Sequence, residues 1–329
     1  MTNQEPTASS RLSRRQIITQ LIGFVIGLGL LSWCIYQVVQ EPDGFRDLLN
    51  ADWRYIAGLI ACTLVSLFVN GTVFWSTMQP YKKTRFSHLH YLNLVASVLN
   101  YAPVRAGLIV RIIYHLRIDG LSLLQIGAWI AAITFTVVIT IAACFGATII
   151  RQDIDLITLL LTGVLLLVFG YVLSIITRHT IVERYGQGLD LVLSNRRILG
   201  VAIGLRLLEI AAIGVRMWCG VRILGLDLNV YEVMLLAYTD LMLSINPLGR
   251  VGWREAAIAF VAGMLATNSI STEEIDSTVY SLGLIVSAGE LMIVLPTGLA
   301  ALVWLRRRWQ HVMRDRANAA AHTAGVTAD

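Results

Sequence analysis

Charged residues are scarce in this chain. Asp, Glu, Lys and Arg make up 14% of its 329 residues, while 56% are hydrophobic, a balance that keeps no ordinary soluble domain in water. Proline is sparser still, six residues in all, so most of the sequence can run as uninterrupted helix. The four cysteines (Cys34, Cys62, Cys144, Cys219) sit inside apolar stretches with no Cys-x-x-Cys or Cys/His spacing. That removes the case for disulfide frameworks and zinc sites and leaves them as small core hydrophobes. There is no Walker motif, no Gly-x-Ser-x-Gly, no His-Glu-x-x-His and no carboxylate pair with glycosidase spacing. Nothing therefore argues for an enzyme, a catalytic residue, a metal or a cofactor.

What is present is long apolar sequence. The stretches 17–39, 56–77, 121–149, 156–176, 199–222 and 279–305 approach or exceed the ~20 residues a helix needs to cross hydrocarbon. The chain reads as an all-α polytopic membrane protein with about six spanning helices. The first stretch follows Arg11, Arg14 and Arg15 as a signal peptide would. It outruns the ~7–15 residues of a signal core, however, and ends in Val39-Gln40-Glu41-Pro42 without a small-x-small site, so it reads as a mature helix. The net charge of +5 does not point to nucleic acid, because the basic residues cluster at the ends of spans, where they set orientation.

Four apolar pieces, 91–102, 108–116, 231–245 and 256–267, are too short to span alone. Treating 91–116 and 231–267 as re-entrant hairpins gathers the basic clusters around Arg14, Lys82, Arg197 and Arg307 on the cytoplasmic side. It leaves Arg46, Arg54 and Arg151 outside with Glu41, Asp43, Asp47, Asp52 and the acidic run 272–276, as the positive-inside rule favours. The expected organisation is a cytoplasmic tail over 1–16, a first repeat over 17–150, a second over 151–305 and a basic cytoplasmic tail over 306–329. Three spans separate the hairpins, so they open from opposite faces as an inverted repeat, the plan of many secondary transporters. His88 and His90 fall in a basic inner loop and read as interfacial.

The hairpins break in matching ways. The first contains Pro103, Arg105, Gly107 and Arg111; the second contains Pro247, Gly249, Arg250, Gly252 and Arg254. Proline removes a helical hydrogen bond and glycine releases the backbone, which frees amides that hydrocarbon cannot satisfy. Such a break must be buried in protein or face water. A half-helix starting after it turns amide ends toward that space, and with the arginines it forms an anion-binding constellation. The competing reading is that the arginines reach the headgroup region as anchors. The span 199–222 adds Arg206, Glu209 and Arg216 near one face, with Arg206 and Glu209 spaced to pair. These three either take part in binding or lock helices together, with Asp240 and Glu290 as further partners. Glu255 satisfies an arginine or a freed amide, or takes part in proton coupling.

At these residues the sequence resembles the flippase-like membrane family that includes the transmembrane region of lysylphosphatidylglycerol synthases. The likeness rests on Pro103, Arg105, Gly107 and Arg111, on Pro247, Gly252, Arg254, Glu255 and Ala256, and on the hydrophobic layout from about residue 15 to 310. The chain departs from the family pattern at Leu108, where Glu is frequent, and at Leu248 and Arg250, where the glycine run is tighter. The resemblance implies a two-repeat fold that moves a phospholipid or lipid-linked headgroup between leaflets. The soluble aminoacyl-transfer domain of two-domain members is not in this sequence, so synthesis of aminoacylated lipid is not expected.

The leading expectation is a lipid flippase of the bacterial cytoplasmic (inner) membrane, multi-pass with both termini cytoplasmic. It would bind an anionic headgroup through Arg105, Arg111, Arg250, Arg254, Arg206 and Arg216. Glu255, Glu209, Asp240 and Glu290 would serve coupling or ion pairing. The alternatives are a small organic-anion transporter, or an accessory subunit of a membrane glycosyltransferase or lipid-modifying enzyme. The partner in the leading reading is membrane lipid.

Overall fold

A computed structural model describes residues 14–40, 51–102, 106–177, 188–243, 251–266 and 275–326. All regular structure among these residues is helical. In chain order the helices are α1 (Arg14–Gln40), α2 (Trp53–Met78), α3 (Phe86–Leu99), α4 (Ala106–Tyr114), α5 (Leu123–Arg151), α6 (Leu156–Thr177), α7 (Leu189–Leu193), α8 (Arg196–Ile223), α9 (Val230–Leu243), α10 (Trp253–Ala266) and α11 (Ile275–Val326). A π-helical turn, His115–Asp119, extends α4. Six of these, α1, α2, α5, α6, α8 and α11, are long and apolar enough to cross a membrane, and the chain is a multi-pass membrane protein.

The helix starts are written in short polar side chains. Ser122 accepts the Gln125 amide at 3.2 Å and donates its own amide to Gln125 Oε1 at 3.0 Å, a complete capping box for α5. Asn195 accepts the amides of Arg197 and Ile198 at the start of α8, and Asp52 accepts that of Arg54 on α2. Replacing Ser122 by Ala is expected to cost about 1 kcal/mol, read as a small fall in the thermal unfolding midpoint of the purified protein. Inside the spans, Thr63, Thr77, Thr140 and Thr297 turn their hydroxyls onto carbonyls four residues earlier, so these polar groups are satisfied without water.

The remaining helices are short. α3, α9 and α10 have 14 residues each and α4 has nine. At ~1.5 Å per residue the longest reaches about 21 Å, short of the ~30 Å hydrocarbon thickness. The pair α3 and α4 packs in one apolar cluster with Ile126, Trp129 and Ile133 of α5 and Ala301 and Leu305 of α11. The pair α9 and α10 packs in another with Val137, Ile141 and Cys144 of α5 and Val279, Leu282 and Val286 of α11. Along both long helices, then, the two pairs occupy opposite halves. Gly107 makes the first pair possible, because a Cβ there would lie 2.1 Å from the Ala96 carbonyl oxygen.

Two boundaries differ from the sequence expectation. His88 and His90 belong to α3, which begins at Phe86. His90 lies 3.9 Å from the Phe86 ring centroid, and Tyr91 stacks on Trp304 at 4.5 Å, so aromatic packing carries the helix into what reads as a basic loop. At the other end α11 continues past the arginine cluster to Val326, with Pro296 inside it; Lys and Arg are good helix formers, and charge alone does not stop a helix. α6 exposes Leu159, Leu160, Leu167 and Tyr171, as a helix facing hydrocarbon does. All four cysteines are free thiols.

Candidate functional site

A cavity of about 250 Å³ opens between α2, α3, α4, α5, α8, α9 and α11. Its wall comes from the middle of α2 (Ser66, Asn70, Phe74), α5 (Ile133, Val137) and α8 (Arg206, Glu209, Arg216). α3 and α4 add Ser97, Asn100, Leu108 and Arg111; α9 and α11 add Asp240 and Glu290. Three arginines and three carboxylates therefore share one small chamber inside apolar sequence, where an unpaired charge is costly.

The carboxylates are all committed. Arg206 hydrogen-bonds Glu209 one turn on and reaches Asn70 Oδ1 of α2 at 3.4 Å. Arg216 donates to Asp240 at 2.5 Å and to Glu290 at 3.1 Å. Arg254 of α10 donates to the same two acids, to Asp240 Oδ2 and to Glu290 at 2.9 Å each. Two guanidinium groups and two carboxylates thus alternate around a closed ring that ties α8, α9, α10 and α11 together. Every member is at most 5% exposed at its side chain. Bidentate, charge-assisted bonds of this kind have both strength and fixed geometry.

Arg111 is different. It is 8% exposed, and its guanidinium donates to Asn93 Oδ1 of α3 and lies 3.6 Å from the centroid of the Phe74 ring. Among the described residues no carboxylate lies within ion-pair distance of it. An amide oxygen and a ring face hold the group in place without cancelling its charge, so a buried positive charge faces the chamber.

The second break is built around Gly252, whose φ is +79°. Its amide donates to Glu255 Oε2 at 2.7 Å, so the acid satisfies a freed backbone group at the start of α10. Glu255 also accepts from Ser287, whose oxygen accepts from Arg254 at 3.2 Å. Trp253 Nε1 donates to the Gly23 carbonyl of α1 at 3.0 Å.

Of the residues singled out in the sequence, Arg111, Arg206, Arg216, Glu209, Asp240 and Glu290 come together at the wall. Arg254 is 1% exposed behind Asp240 and Glu290, and Glu255 sits beyond it, bonded to the break. Pro103, Arg105, Pro247, Gly249 and Arg250 lie outside the described residues. Sequence reasoning does not single out Asn93 and Phe74, which position Arg111, or Ser66, Asn70, Ser97 and Asn100 on the wall. A signal exists for the amides, since Asn70 and Asn93 stand alone among apolar neighbours.

No protein of curated function matches the chain. Residues 20–275, more than three quarters of the sequence, match the family described as the lysylphosphatidylglycerol synthase TM region. With its six candidate spans, the chain belongs to that family of membrane proteins.

Proposed function

We propose that this protein is a lipid translocator that binds an anionic headgroup in the central chamber and passes it between leaflets, acting as a carrier and not as an enzyme. The observation that carries this reading is Arg111, a buried guanidinium at the chamber wall with no carboxylate in contact among the described residues. A phosphate supplies the missing counter-charge and accepts the guanidinium's N–H groups in the geometry that arginine favours. Family membership supports a lipid as cargo. So does size: about 250 Å³ is below the ~300–1,000 Å³ of pockets that enclose whole drug-sized ligands. It suits a headgroup whose acyl chains remain in the bilayer.

The short-helix pairs act as re-entrant hairpins from opposite faces, related as inverted repeats, and movement of one half against the other alternates access to the chamber. Their packing on opposite halves of α5 and α11 supports that arrangement. The protein resides in the bacterial cytoplasmic membrane with both termini inside.

Reconstitution into vesicles carrying acyl-labelled fluorescent phosphatidylglycerol tests the proposal, with a membrane-impermeant quencher reporting leaflet exchange. The wild-type chain is expected to exchange the lipid. Arg111→Ala is expected to slow exchange about tenfold or more, as follows from losing a charge-assisted contact, with Arg111→Lys in between. A folded Arg111→Ala protein exchanging lipid at the wild-type rate would remove Arg111 from the mechanism.

A further inference from the structure

The π-helical turn that ends α4 holds a buried ionisable pair. His115 is fully buried, and its Nδ1 lies 2.7 Å from Asp119 Oδ2. A carboxylate only accepts, so Nδ1 carries the ring proton and donates it to Asp119. The other ring nitrogen, Nε2, is buried with no hydrogen-bond partner among the described residues. Trp129 of α5 packs edge-on against the ring at 4.9 Å, but its indole N–H is committed to Thr77 Oγ1 of α2 at 3.0 Å. Asp119 is 10% exposed at its side chain and lies 3.5 Å from Lys82 Nζ. π-Helical turns are frequent at functional positions, and this one places a titratable ring one turn beyond Arg111.

We infer that His115 with Asp119 is a proton-binding site coupled to the anion site at Arg111, so that proton and anion bind together. The inference rests on the anion-binding reading of the chamber and adds to it the group that titrates. Arg111 stands four residues before His115 on the same helix, and no carboxylate among the described residues cancels its charge. A proton added at Nε2 turns the ring into an imidazolium, which Asp119 stabilises and the Arg111 charge opposes across a dry interior. An anion on Arg111 removes that opposition. The bound form therefore holds the proton more tightly, and by linkage the proton tightens the anion. The other charged and titratable groups around the ring have their own contacts. Lys82 faces Asp119 from the segment after α2, Arg308 of α11 bonds the neighbouring Tyr114, His88 of α3 lies against the Trp304 ring, and Arg117 on the same turn is exposed. The acids near the chamber are poor rivals as the proton site: Glu209, Asp240 and Glu290 are held by arginines, and Glu255 by the Gly252 amide.

Binding of short-chain phosphatidylglycerol to the purified protein in detergent is measured between about pH 5 and 8, where histidine titrates and a phosphodiester does not. Affinity is expected to rise about tenfold as the pH falls, within the ~5–150-fold range of coupled sites. Calorimetry in two buffers of different ionisation enthalpy should count about one proton taken up per lipid. His115→Gln is expected to flatten the profile, and Asp119→Asn to shift it to lower pH. With no lipid present, Arg111→Gln should raise the midpoint of the His115 titration, followed by NMR of 13C-labelled histidines, because it removes the charge that the anion offsets. Lipid binding that is independent of pH and takes up no proton overturns the inference. So does an unchanged profile in a folded His115→Gln protein, or an unmoved His115 midpoint in Arg111→Gln. Should His115→Gln fail to fold, the wild-type proton count and the Arg111→Gln midpoint still decide. If the lipid neither binds nor crosses the bilayer while that midpoint rises, the lipid-moving reading fails and the coupled proton site stands.

Discussion

Asp240→Asn is expected to destabilise the protein by about 3–5 kcal/mol, the loss typical when one member of a buried ion cluster is removed. Asp240 Oδ2 receives Arg216 at 2.5 Å and Arg254 at 2.9 Å, and Arg254 also bonds Oδ1. Asparagine keeps the shape and one acceptor, but the two guanidinium groups then share the single charge of Glu290 in a site at most 5% exposed. Against a total stability of ~5–15 kcal/mol for a folded domain, that loss shows as a large fall in the thermal unfolding midpoint in detergent. Arg254→Gln on the same background removes one of the stranded charges and should recover part of the loss. The two changes are therefore strongly non-additive in a double-mutant cycle. Asp240→Asn unfolding within about 0.5 kcal/mol of wild type, the range of ordinary surface changes, would mean that the ring does not hold α8 to α11 together.

That ring also marks how far the sequence can be read. The spans are legible because twenty or so apolar residues in a row have one physical use, and the short helices because each apolar piece falls below spanning length. Arg206 with Glu209 is a local pair, three residues apart on one helix, so periodicity alone places the partners together. Arg216 pairs with Asp240 and Glu290 across 24 and 74 residues, and which arginine meets which acid depends on how α8, α9, α10 and α11 pack. Spacing holds no record of that. Arg254 and Arg111 look alike in sequence, each the last arginine of a Pro-Arg-Gly-Arg pattern. Burial separates them: one is locked behind two carboxylates, while the other meets an amide and an aromatic ring. Asn93 and Phe74 carry no charge to draw attention, and their role appears only when α2, α3 and α4 are brought together. The helical extension of α11 to Val326 and the start of α3 at Phe86 are not legible, because segments rich in charge or histidine read as loops until their packing is known.

Gly252→Ala is expected to cost about 3 kcal/mol and to loosen α1 from the bundle, through two effects that add. With φ at +79°, a side chain at this position is strained by about 1 kcal/mol relative to glycine. In addition its Cβ would sit 1.6 Å from the Gly27 carbonyl oxygen and 2.4 Å from the carbonyl carbon. Both atoms are backbone, so no rotamer can yield; α1 or the turn must move, and overpacking of this kind costs ~1–3 kcal/mol. The approach is mutual, since a Cβ on Gly27 would meet the Val251 carbonyl oxygen at 2.4 Å. Small residues at such crossings are how membrane helices reach contact distance, and here they seat α1 on the turn that begins α10, beside the Trp253 bond to Gly23. Displacing that turn also disturbs the Gly252 amide bonded to Glu255, so a fall in lipid exchange should accompany the lower melting point. A Cβ on Gly29, two residues along α1, would meet nothing within 4 Å among the described residues, and Gly29→Ala is expected to stay within about 0.5 kcal/mol of wild type. Thermal unfolding of the two alanine variants side by side decides the matter: if they melt together, the Gly27–Gly252 contact does not seat the first helix.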